Sequence, residues 1–314
     1  MDYVKEDIAG PRDRIERFFA VVGVGSGGRW IFYGVVIGLL SGTLAWVFFA
    51  SLQWSSFLVL GKLAGAPPLE PHGERIIHIG VDTPFRRWLF FILPTVGGLI
   101  SGVIIQLWAP EAEGHGTDAL VDAFHNKNAL VRTRIPFLKG LATLAVLATG
   151  GSAGREGPIA QMGGGVGSWL ARKLNLTVQE RRTMLLMGTG GGLGAIFRAP
   201  LGGAVTALEV LYREDLEAGA LLPTVISSVT AYALFSTIFG YDHIFAMPPF
   251  KFHDARELLF YLLLGLVIVP VGIFYVKFFY TTRDFFRRLK LPKFIKPAIG
   301  GLLVGFIGFL FPGV

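Results

Sequence analysis

Gly150-Gly151-Ser152-Ala153-Gly154-Arg155-Glu156-Gly157-Pro158 separates two apolar runs and carries a charged pair at membrane depth. An ionised side chain there costs roughly 2.5–3.5 kcal/mol on insertion scales, so such residues line a polar path or pair with one another. The glycines end the run 138–149, and Pro158 suits the first turn of a helix that continues through 161–174. A helix therefore starts inside the membrane with Glu156 at its mouth. Unpaired backbone amides and the positive end of the helix dipole make such a start an anion site. Glu156 is an anion already tethered to it.

Outward from this stretch the chain reads as membrane sequence. Of 314 residues 52% are hydrophobic, and mean hydropathy is +0.57, which fits a multi-pass integral membrane protein better than a two-domain soluble one. The net charge of +7 falls in short links between apolar runs and on no basic face. That argues against a nucleic-acid partner and for signals of topology. With no cysteine, disulfides, thiolate catalysis and cysteine metal sites are excluded, and no metal or cofactor is expected. Residues 1–28 mix acidic and basic side chains without the apolar core and cleavage site of a signal peptide, which predicts a cytoplasmic lead-in.

The segment 30–60 is long enough to cross tilted, and Gly34, Gly38 and Gly42 give it one smooth face for close helix contact. The run 88–108 returns, with Gly97, Gly98 and Gly102 as its small face. After Pro110 the stretch Glu111-Ala112-Glu113-Gly114-His115-Gly116-Thr117-Asp118-Ala119 leads into a short amphipathic run ending at His125. It is too short and polar to span, which predicts a re-entrant half-helix enclosed by protein or facing water. The pieces 136–149 and 158–174 fall short of the roughly 20 apolar residues of a full crossing, and such glycine-broken segments point to a site at the midplane. A further short run, 184–197, ends at Arg198-Ala199-Pro200; 201–211 carries Glu209 near its end, and 221–239, 258–279 and 299–311 follow. Between the last two, Lys277, Arg283, Arg287, Arg288, Lys290, Lys293 and Lys296 face only Asp284, which assigns that link to the cytoplasm. The final run stops inside its apolar stretch, so the fold is expected to continue beyond Val314.

With GSAGREGP at 151–158 and the glycine-flanked turn at Gly114, the sequence resembles the CLC family of chloride channels and proton-coupled chloride exchangers. The resemblance extends through Ala199-Pro200-Leu201-Gly202-Gly203 and Lys296-Pro297-Ala298-Ile299-Gly300-Gly301. It implies an all-α polytopic fold of broken, re-entrant helices. Residues 29–240 would form the first of two inverted repeats, and 241–314 the opening helices of the second. It implies further that Glu156 is the gate, that Gly114, His115, Gly116, Gly154, Arg155, Gly157 and Ile159 surround a chloride or similar anion, and that the protein is a homodimer in a bacterial-type plasma membrane. His115 stands where the family's anion-contacting serine lies, and Asp118 replaces the proline of that turn. A third motif and a pathway tyrosine would lie past Val314. The family's exchangers commonly carry a proton-relay glutamate immediately after the position of Glu209; here it is Val210, and valine carries no proton. The expectation is therefore a passive, gated chloride channel, with proton-coupled exchange, in which Glu209 would be the proton path, as the alternative.

Other readings rest on thinner patterns. Gly23-Val24-Gly25-Ser26-Gly27-Gly28 fits a dinucleotide fingerprint but lacks a strand-turn-helix unit. Gly150-Gly151-Ser152-Ala153-Gly154 fits G-x-S-x-G, which would make an intramembrane serine hydrolase only with a histidine base in reach of Ser152. A non-conducting assembly subunit is the remaining class, and no enzyme is expected.

Overall fold

The computed structural model describes residues 26–66, 83–212, 218–241, 252 and 254–311. The lead-in through residue 25, the connection 67–82, the acidic loop 213–217, His243, His253 and the last three residues lie outside the described residues.

Among the described residues the chain is a succession of ten α-helices without strands. They are α1 (Ser26–Ser56), α2 (Arg87–Trp108), α3 (Thr117–Asn126), α4 (Ile135–Leu147), α5 (Glu156–Lys173), α6 (Val178–Ile196), α7 (Pro200–Leu211), α8 (Ala218–Phe239), α9 (Glu257–Arg288) and α10 (Lys296–Leu310). Four are long and apolar enough to cross a membrane: α1 with its π-helical extension through Leu63, α2, α8 and α9. The short helices α3, α4, α5 and α7 lie between them in sequence. This is an all-α polytopic membrane protein with broken helices.

Lipid offers no hydrophobic drive for helix association, so packing depends on close approach at small residues. In α5, Gly163 and Gly167 lie against the backbone of Gly188 and Met184 in α6. Gly34, Gly38 and Gly42 of α1 meet Ile226, Ser227 and Ala231 of α8, and Gly301 and Gly305 of α10 meet Pro94 and Phe91 of α2. The glycine faces are therefore seams between helices. Buried polar side chains add ties: Ser227 Oγ donates to the Met187 carbonyl at 2.8 Å, and Ser168 Oγ to that of Ala129 at 2.8 Å.

Two helices run further than their apolar patterns. α6 starts at Val178, where Thr177 and Glu180 close a capping box, although 172–182 reads as a polar link. Glu180 also pairs with Arg29 at 3.0 Å, fixing the beginning of α1 to the beginning of α6. α9 continues to Arg288, so Lys277, Arg283, Arg287 and Arg288 belong to the helix rather than to a link. No residue of α9 is buried.

Candidate anion site

Glycines build both helix starts. Gly150, at φ 83°, takes the chain out of α4, and Arg155 is the N-cap of α5. The Ile159 amide already donates to the Arg155 carbonyl at 3.0 Å, and Pro158 has no amide hydrogen. Glu156 and Gly157 supply the remaining free donors of that first turn. At α3, Gly114 and Gly116 adopt φ 81° and 105°, a region that suits glycine. Leu120 donates to the Gly116 carbonyl at 3.2 Å, which leaves the amides of residues 117–119 without a partner inside the helix. The two starts touch. A Cβ on Gly157 would collide with the His115 carbonyl, and one on Gly116 would stand 2.8 Å from the Gly157 carbonyl.

Beside this contact lies a cavity of about 950 Å³. Gly114, His115 and Thr117 line it from the α3 side, Gly154, Glu156 and Gly157 from α5, Lys139 and Thr143 from α4, and Tyr275 and Tyr280 from α9. His115 Nδ1 is 3.0 Å from Thr117 Oγ1, and its ring meets Phe279 edge-on at 6.1 Å. The Glu156 side chain is exposed and folds back so that Oε2 occupies the space a Cβ on Gly154 would need. Among the described residues it makes no ion pair or hydrogen bond. A free carboxylate therefore shares one cavity with two sets of helix-start amides.

Gly154→Ala tests that posture. The obstacle is the mobile end of a side chain, so the backbone is expected to fold unchanged while the carboxylate is displaced. The variant should keep the parental unfolding temperature in detergent; a lower one would mean that the backbone, and not the carboxylate, gives way.

Not all the expected site residues converge here. Arg155 aims its guanidinium over the Phe49 ring, 5.2 Å from the centroid, and is not part of the cavity wall. Among the described residues no ion pair joins Arg155 to Glu156. Ile159 is fully buried in the core and its amide is spent inside the helix, so it offers an anion nothing. Glu209 is exposed on α7 and does not reach the cavity. Ser152 does line it, as does His115, yet no hydrogen bond joins them among the described residues, and the ring nitrogen faces Thr117 instead. The serine-hydrolase arrangement is absent there. Lys139 was not foreseen. It is 3% exposed, and its ammonium donates to the carbonyls of Ala112 at 2.8 Å and Gly114 at 2.5 Å. The signal was a lone lysine inside the apolar run IPFLKGLATL.

Comparison with known proteins agrees with this architecture. The family model described as Voltage gated chloride channel matches residues 97–314. A putative chloride channel protein ClcB-like from Ralstonia nicotianae is 31% identical over 72% of this chain and 54% of its own length. The H(+)/Cl(-) exchange transporter ClcA of Yersinia pseudotuberculosis is 29% identical over 88% of this chain and 55% of its own. The chain thus spans about half the length of these curated relatives. Among solved structures, a slow cyanobacterial Cl-/H+ antiporter superposes with a TM-score of 0.74 at 26% identity, covering 90% of this chain and 64% of that one. A CLC-type fluoride/proton antiporter shares the fold alone, with a TM-score of 0.74 at 21% identity, covering 91% and 66%. With the family model matched over more than half its residues, the chain belongs to the CLC family.

Proposed function

We propose that this chain builds the anion pathway of a transporter that exchanges chloride for protons, with Glu156 as both gate and proton carrier. The observation that carries the reading is the Glu156 carboxylate at the first position of α5, unpaired among the described residues and in one cavity with the helix-start amides of α3. Ionised, it competes with a mobile anion for those amides. Protonated, it loses its claim on them and carries a proton with it. Amides and dipoles replace water around the anion without a full fixed charge of their own, which keeps binding weak enough for release. His115 contributes a ring N–H in place of a hydroxyl.

Exchange is preferred to passive conductance because relatives covering most of this chain are named as exchangers, and so is the antiporter of similar structure. Val210 supports the channel reading, since it closes the relay expected beside Glu209. The proton route to the opposite face would then avoid position 210. In this scheme residues 29–240 form the first repeat, 241–314 open the second, the N-terminus is cytoplasmic, and two copies pair in a cell membrane.

The test is the reversal potential of the full-length protein in vesicles under a chloride gradient opposed by a pH gradient. Exchange is expected to displace the potential from the chloride equilibrium value whenever the pH gradient changes. A potential that follows chloride alone would establish the channel reading instead.

A further inference from the structure

We infer that the basic end of α9 and the link to α10 form a docking surface for the headgroups of anionic lipids. The inference is independent of the transport reading above.

Charge is spread unevenly along the chain. Between residues 277 and 296 stand seven lysines and arginines against Asp284 alone, a net +6 in a chain whose total is +7. The rest of the chain is therefore close to neutral. The fold shows which of these cations lack compensation. Arg283 pairs with Asp284 at 3.3 Å, and Lys293 with Glu113 at 3.5 Å. Among the described residues Arg287, Arg288 and Lys290 have no carboxylate partner, and all three are exposed. Lys296 donates to the Arg287 carbonyl at 3.2 Å, which draws the start of α10 back against the end of α9 and brings a fourth cation to the same place. The C-terminal end of a helix dipole is worth only about half a negative charge, so the cations outweigh it and the surface attracts an anion.

Depth decides which anion. The apolar run 258–279 rises about 33 Å, close to the thickness of a hydrocarbon core. Lys277 lies in its last turn, from where a long side chain reaches the interface. The residues that follow emerge at headgroup level, where the cations stand with Tyr280 and Phe285, 48% and 60% exposed. Interfacial aromatic rings with basic side chains just beyond them hold a phosphate while its acyl chains stay in the bilayer. The guanidinium groups of Arg287 and Arg288 add forked donors that suit phosphate oxygens. A soluble anion would gain the charges but not the apolar wall.

The experiment titrates full-length protein in mild detergent with phosphatidylglycerol, phosphatidylcholine or inorganic phosphate. Bound lipid is counted by mass spectrometry of the intact complex, and thermal unfolding is followed in parallel. The parent is expected to hold phosphatidylglycerol at least about tenfold more tightly than phosphatidylcholine, with the preference falling as salt rises. Each cation near an anionic headgroup is worth about a fivefold change in affinity. Arg287→Gln/Arg288→Gln/Lys290→Gln should therefore lose about tenfold or more for phosphatidylglycerol and nothing for phosphatidylcholine. None of the three makes a side-chain ion pair or hydrogen bond among the described residues, so the fold loses no contact. A triple variant with the parental preference would overturn the inference, as would a parent that does not distinguish the two lipids. Inorganic phosphate that raises the unfolding temperature as far as phosphatidylglycerol does would assign the surface to soluble anions and overturn it too. If the triple variant does not fold, Lys290→Glu decides, because residue 290 lies in the link outside both helices. Its affinity for phosphatidylglycerol should fall by about fivefold or more, and an unchanged affinity would overturn the inference.

Discussion

Glu156→Gln is expected to carry chloride at a rate independent of pH and to move no protons against it. The wild-type protein should speed up as pH falls, because protonation takes the tethered anion out of competition for the helix-start amides. With a single titrating gate the response is at most about tenfold per pH unit. Glutamine keeps the size and hydrogen-bonding ends of the protonated acid but can neither ionise nor deliver a proton. Its flux should therefore match the acid-stimulated wild type at every pH. The free posture of Glu156 matters to this outcome: with no ion pair or hydrogen bond to release among the described residues, substitution disturbs no structural contact. Paired measurements of chloride efflux and proton uptake from one vesicle preparation check it. A variant that keeps the parental pH response would remove Glu156 from the gate.

The second large effect is structural. Gly188→Val should destabilise the protein by about 3 kcal/mol or more, near the upper end for overpacking a close-fitted interior. A Cβ at 188 meets the carbonyl oxygen and carbon of Gly163 and the amide of Gly167, all backbone of α5. Backbone cannot rotate aside as a side chain can, so the helices must separate or the variant must not fold. The modest gain in helix propensity over glycine, well under about 1 kcal/mol, does not offset this. Because α5 carries Glu156 at its first position, partial separation would also move the proposed gate. Thermal unfolding in detergent, together with flux, reads both. A variant with the parental unfolding temperature would mean that the seam is looser than its geometry.

Much of the architecture was legible in the sequence because membrane helices advertise themselves through length and apolarity, and broken ones through glycine and proline. The start of α5 at Glu156 and the re-entrant α3 were both readable in this way. Boundaries decided by polar chemistry were harder. The capping box of Thr177 and Glu180 starts α6 inside what composition makes a polar link, and the basic end of α9 is helical because charged side chains are good helix formers wherever the backbone is already nucleated. In the site, residue type could suggest donors but not which were free. Ile159 lies buried with its amide used inside the helix, and the Arg155 guanidinium lies over Phe49 rather than in the cavity wall. Lys139 went unweighed because one charge in an apolar run has meaning only when its partners are visible across the fold.

The contact between Gly157 and the His115 carbonyl has a kinetic consequence. Two helix starts wedged backbone to backbone behave as one rigid frame, so neither can tilt without the other. In the proposed mechanism the motion left for opening is the swing of the Glu156 carboxylate. Exposed side chains turn over in picoseconds to nanoseconds, far faster than helices shift. The tempo of the proposed gate would then be set by the arrival and departure of protons and anions rather than by movement of these two helix starts.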